Sequence, residues 1–158
     1  RPFTLPRLTS AHDCSRVRGR RLVSFEGGVL VDRVALARAR AELGSDFARI
    51  LGYFREDGIK SLDAIEAASR DGNAAALVLP AHTLKGEASQ FGATPLAALA
   101  EKLETLAREC VELHTSPVAG VTDVLALRPL FEATLNLLER EAAATPLRRG
   151  GGFGRRVS

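Results

Sequence analysis

An all-α fold, an antiparallel up-down four-helix bundle with an extra short N-terminal helix, is what three features of this 158-residue sequence predict. The apolar content is mostly aliphatic, with seven Phe, one Tyr and no Trp, whereas sheets favour more aromatic and β-branched residues. Apolar residues recur at three- and four-residue intervals through four long stretches. The joints between those stretches are short and built from Gly, Asp, Asn, Ser and Pro, which sets neighbouring helices antiparallel.

The elements follow in order. Residues 31–43 form a short helix closed by Gly44. Ser45 and Asp46 offer an N-cap for a long helix running to about Arg70, with Phe47, Ile50, Leu51, Phe54, Leu62, Ile65 and Ala68 on its apolar side and Gly58 as a point of weakness or bending. Asp71-Gly72-Asn73 is a turn, and Asn73 caps the third helix. Pro80 lies inside that helix, where it deletes one hydrogen bond and crowds the preceding turn. Leu77 keeps register with Leu84 and Phe91, so a kink is preferred to a late start. The helix stops at Gly92, and Pro95 opens the fourth with Thr94 as cap. Leu96, Leu99, Ala100, Leu103, Leu106, Ala107 and Cys110 supply its buried side. Ser116, Pro117 and Gly120 interrupt the chain before a last helix over about 123–142, which buries Val124, Leu127, Phe131, Leu135 and Leu138.

The net charge of +3 is unevenly spread. Residues 1–28 carry +4 and residues 146–158 another +4, which leaves −5 for 29–145. The first segment, with Pro2, Pro6 and no sustained periodicity, reads as a flexible basic arm. The Arg/Gly tail reads as disordered, and 29–145 is the folded bundle. An acidic body with basic ends is the reverse of a nucleic-acid-binding core, so no nucleic-acid partner is expected. No apolar run is long enough to cross a bilayer and no signal-peptide core is visible, so the chain is expected to be a cytoplasmic monomer without a membrane partner. Cys14 and Cys110 lack metal-ligand or CxxC spacing, and Cys110 reads as a small core residue. No Walker loop or dinucleotide-type glycine pattern is present.

The chemistry concentrates on the third helix. With successive residues roughly 100° apart and His82 at zero, Lys85 falls at about 300°, Gly86 at about 40° and Ser89 at about 340°. Leu77, Ala81, Leu84, Ala88 and Phe91 fall on the opposite side as the buried stripe. The imidazole therefore faces outward beside a cation and little side-chain bulk. Glycine inside a helix costs about 1 kcal/mol relative to alanine, which suggests that clearance beside His82 is wanted. Lys85 has no acid four residues away, since 81 is Ala and 89 is Ser, and so is expected to be unpaired and available to an anion. Ala75 and Val78 share the histidine face and form a small apolar docking rim, with Gln90 a further polar candidate. Glu87, at about 140°, should project sideways.

His-Thr-Leu-Lys-Gly at 82–86 followed by Phe-Gly-Ala at 91–93 resembles the signature of histidine-containing phosphotransfer (HPt) domains of bacterial phosphorelays, and is similar to the phosphotransfer domain of chemotaxis histidine kinases. Phe54-Arg55-Glu56-Asp57 upstream, and Leu96, Leu99, Ala100, Leu103-Glu104 and Arg108 downstream, fall where the family has its flanking helices. The likeness covers about residues 30–143. It implies that His82 accepts a phosphoryl group from a receiver-domain aspartyl phosphate and passes it to another receiver, with response-regulator receivers or a hybrid histidine kinase as partners. It also implies no kinase activity and no cofactor of the chain's own, any Mg²⁺ belonging to the receiver.

Lys85 would then offset charge on the phosphoryl oxygens, and Gly86 and Ser89 would keep the approach open. Ser89 is either a small spacer or a hydrogen-bond donor. The chemotaxis branch carries a glutamate 22 residues after its histidine, and Glu104 stands at that distance here. It either holds the imidazole N–H or belongs to a solvated face with Glu101 and Lys102. The competing function is a non-catalytic helical adaptor that binds a protein partner through the same face.

Overall fold

The computed structural model describes residues 29–144, and within them the chain is five α-helices with short connections. The predicted arms at 1–28 and 146–158 lie outside the described residues. α1 (Arg33–Leu43) is followed by a 3₁₀ turn, Gly44–Asp46, and then by α2 (Phe47–Arg70), α3 (Ala74–Gln90), α4 (Thr94–Leu113), a second 3₁₀ turn, Val118–Gly120, and α5 (Val121–Ala143). α2 packs on α3, α3 on α4, α4 on α5, and α5 closes back on α2, which is the predicted up-down bundle; α1 rests against the start of α2.

The caps are only partly those expected. Asn73 Oδ1 accepts from the Ala76 N–H at 3.0 Å, as predicted. Asp46 does not cap α2 through its side chain, because the 3₁₀ turn runs directly into the helix; it pairs instead with Arg49 at 3.0 Å. Thr94 is the first residue of α4 and its hydroxyl donates to the Gly92 carbonyl at 3.3 Å, so it is not a cap. Asp32 is a cap that periodicity alone does not reveal. Its Oδ1 accepts from Val34 and Ala35 N–H groups at 2.8 and 3.1 Å. α3 runs through Pro80 as one helix, and α5 likewise contains Pro129.

The bundle interior is aliphatic, with a chain of rings through it. Leu77, Ala81, Leu84, Ala88 and Phe91 are all buried, as the wheel requires, while Ile50, Leu99 and Leu106 are only partly covered. Phe91 meets Phe47 edge-on at 5.7 Å and Phe54 at 5.2 Å, and Phe54 meets Phe131 at 5.2 Å, linking α2, α3 and α5. Arg128 on α5 reaches Glu66 at 2.7 Å and Asp63 at 2.6 Å on α2. Arg55 and Glu139 make a further ion pair between the same helices. The α3–α4 turn has Gly92 at φ +71°, and its carbonyl accepts from Asp32 N–H at 2.8 Å, which seats α1 on this end of the bundle. A side chain at Gly92 would run into Ala35 as well as strain the backbone.

Gly58 is a contact residue and not merely a weak point of α2. A Cβ there would overlap Cε2 and Cζ of Phe131, a ring only 1% exposed. Gly58→Ala gains about 1 kcal/mol of helix propensity but must displace a packed ring, which costs about 1–3 kcal/mol. The expected outcome in urea unfolding is a net loss of about 1 kcal/mol. A variant as stable as the parent would show that Phe131 rotates aside freely.

Candidate functional site

The antiparallel register of α3 and α4 brings His82 across from Glu104. His82 Nδ1 lies 3.0 Å from Glu104 Oε1, with the imidazole 57% exposed and the carboxylate only 7%. The same Oε1 accepts from Arg108 Nε at 3.1 Å and Nη2 at 2.7 Å, and Lys85 Nζ stands 2.7 Å from Oε2. Burial would push a carboxyl up, but the Lys85 ammonium beside Oε2, followed by the hydrogen bonds from Arg108 and His82, outweighs it and holds Glu104 at about 2. Glu104 is therefore an ionised acceptor across the working pH range. An acceptor-only partner requires that Nδ1 carry the proton, and a neutral His82 then has its lone pair on Nε2.

The residues singled out in the sequence gather around this pair, and one expectation about them is corrected. Lys85 is not an unpaired cation, because its partner comes from the neighbouring helix, 19 residues on, where an i,i+4 search within α3 cannot see it. Glu104 leaves the solvated face, while Glu101 and Lys102 stay exposed, with Lys102 reaching Asp123 at 2.9 Å. Ser89 donates its hydroxyl to the Lys85 carbonyl at 2.8 Å, so the side chain is folded back on its own helix. A Cβ on Gly86 would meet nothing within 4 Å, so packing does not require the glycine and the space over the site is open. Ala75 and Gln90 are exposed and Val78 half-buried.

Residues 49–143 match the family model for the Hpt domain. The chain belongs to the Hpt domain family. Its structure is similar to the crystal structure of histidine-containing phosphotransfer protein B from Pseudomonas aeruginosa, with 28% identity, a TM-score of 0.63, and coverage of 73% of this chain and 96% of that one. No curated protein matches the chain.

Three residues near the site of this Hpt domain are not singled out by sequence reasoning as contributors. Arg108 follows Glu104 by four residues, a pairing that helical spacing makes readable. Leu79, one turn before His82, is 71% exposed and extends the apolar rim of Ala75 and Val78. Glu87 projects toward α2 and is half-buried. Its Oε2 is buried with no hydrogen-bond partner among the described residues, and desolvation, with the nearby charge of Asp57, raises the group from 4.5 to about 7. Among the described residues no helix is long and apolar enough to cross a membrane.

The Glu87 shift has a sign that can be checked. Its folded-state value is raised, so the protonated form is favoured by folding, and stability falls as pH rises from 4.5 through about 7. Glu87→Gln should match the parent near pH 4 and exceed it by about 1 kcal/mol at pH 8, a figure discounted for partial exposure. Urea midpoints at the two pH values measure this. An equal difference at both would show that the carboxyl titrates normally.

Proposed function

We propose that the chain is a phosphorelay intermediate in which His82 takes a phosphoryl group at Nε2 from the aspartyl phosphate of one receiver domain and passes it to another. Membership of the Hpt domain family supports a phosphotransfer role in two-component signalling. The observation that carries the residue assignment is the pairing of His82 Nδ1 with a buried, ionised Glu104, which leaves Nε2 as the lone-pair nitrogen on an exposed ring.

In the forward step the Nε2 lone pair forms a bond to phosphorus as the bond from phosphorus to the aspartyl oxygen breaks, and the receiver carboxylate leaves with that electron pair. The proton stays on Nδ1, so the phosphorylated ring is cationic, and Glu104 stabilises it at 3.0 Å. The reverse step onto a second receiver uses the same atoms. Transfer of this kind runs through a loose transition state with charge on the equatorial oxygens, so positioning and nearby cations carry the catalysis. Lys85 and Arg108 are the cations present. Gly86, Ser89, Ala75, Val78, Leu79 and Gln90 leave a low surface on which a receiver can seat its phosphorylated loop. The receiver supplies any Mg²⁺, and the chain acts as a monomer in the cytoplasm.

The test is incubation with a receiver carrying labelled aspartyl phosphate. Acid-labile, alkali-stable label on the chain is expected. Binding of the receiver with no label transferred would replace this reading with the adaptor.

A further inference from the structure

Glu87 is the one acidic side chain on α3, the helix that carries His82. It stands five residues after the histidine, roughly 7.5 Å further along the helix axis. The transfer step described above gives it no role. Its Oε2 is buried without a hydrogen-bond partner among the described residues, on the flank of α3 that packs against α2. What surrounds it makes ionisation costly. From α2 it is faced by Asp57, a like charge that already holds Lys60 at 3.1 Å. On α3 itself, Lys85 is drawn to the opposite flank by Glu104. α4 packs on that opposite flank, where Glu104 and Arg108 lie beside His82. Burial, with the Asp57 charge added, therefore moves the titration of Glu87 into the neutral range, whereas Glu104 stays ionised throughout it.

The axial separation from His82 is inside the Debye length of about 10 Å at 0.1 M salt. A charge on Glu87 is thus felt by a phosphoryl group on the histidine, which carries about −1.5 to −2. A carboxylate ionised across the whole neutral range would be a constant background. This one changes state within it.

Resting on the relay reading above, we infer that Glu87, packed against Asp57 in the α2–α3 seam, makes the acceptor site pH-sensitive. Protonated, it leaves α3 without a negative charge of its own, and His82 holds phosphate; ionised, it adds one negative charge to the acceptor helix and shifts phosphate back to the receiver. The switch itself exchanges one proton between the carboxyl and water, and the bonds made and broken at phosphorus are those of the transfer step. By reciprocity, phosphate on His82 keeps Glu87 protonated to a higher pH.

The experiment equilibrates one phosphorylated receiver with the parent, Glu87→Gln and Glu87→Ala at low ionic strength across the range from acidic to mildly alkaline pH. It reads the ratio of label on the chain to label on the receiver. Titrations in the receiver and elsewhere in the chain are common to all three proteins, so they cancel when the parent ratio is divided by the Glu87→Gln ratio at the same pH. That quotient is expected to be flat in acid and to fall roughly threefold on the alkaline side, the size expected of one charge acting at this range in water, with its midpoint at about 7. Glu87→Ala should follow Glu87→Gln, because the charge matters and the amide's hydrogen bonds do not. A flat quotient, or a Glu87→Ala that keeps the parent's fall, would overturn the inference. A carboxyl-carbon NMR titration of the parent locates the transition on Glu87 itself, and a midpoint at the ordinary 4.5 would overturn it as well. If the parent takes no label at any pH, the relay reading fails and this inference with it, whereas a labelled parent with a flat quotient sinks this inference alone.

Discussion

His82→Gln is expected to abolish uptake of phosphate from a receiver while leaving the bundle as stable as the parent to within about 0.5 kcal/mol. The side chain is more than half exposed, so little apolar burial is at stake. The glutamine amide can still donate to Glu104 Oε1, which keeps the carboxylate satisfied. What it lacks is a nucleophilic nitrogen, since the amide lone pair is delocalised into its carbonyl. A thermal melt and a transfer assay on the same preparation separate the two effects. Label persisting on this variant would move the acceptor elsewhere. In the parent the phosphate should sit on Nε2, because Nδ1 is occupied by the Glu104 bond; nitrogen–phosphorus couplings in NMR report which nitrogen is bonded, and Nδ1 attachment would contradict the tautomer argument.

Glu104→Gln is expected to slow transfer by about a hundredfold, the lower end of what losing a positioned proton-holding group costs. The neutral amide no longer compels Nδ1 to be the donor, nor does it stabilise the cationic phosphorylated ring. The same change affects stability. Glu104 is held at about 2 against an ordinary 4.5, so its contribution is present in full above about pH 4.5 and is lost as pH falls toward 2. At neutral pH the glutamine variant should be less stable by about 2 kcal/mol, below the value for breaking a fully buried pair because Lys85 and Arg108 can reach water. Near pH 2 the two proteins should converge. A constant difference from pH 7 to pH 2 would mean that the carboxylate charge contributes nothing to folding.

The large-scale organisation was legible because it depends on local periodicity. Leu77, Ala81, Leu84, Ala88 and Phe91 are buried wherever the helix packs, and the breakers at 44, 71–73, 92 and 116–120 allow few alternatives to five helices. The orientation of His82 away from that stripe follows from the same geometry. Caps were less legible: Asp32 and the 3₁₀ entry to α2 depend on φ/ψ choices at single residues, which composition does not reveal. Gly58 could be marked as unusual, but its reason, the ring of Phe131 73 residues further on, lies on another helix.

By itself, then, the sequence determined which residues turn inward on each helix, and that a histidine, a lysine and a glycine share one outer face. Only the tertiary structure decided that Lys85 is paired, that Glu104 is buried, and that Arg108 competes with the imidazole for one oxygen. The reason is that a helical wheel describes one helix at a time. The electrostatics of this site arise between two helices, and their relative register is set by core packing distributed along the whole α3–α4 seam.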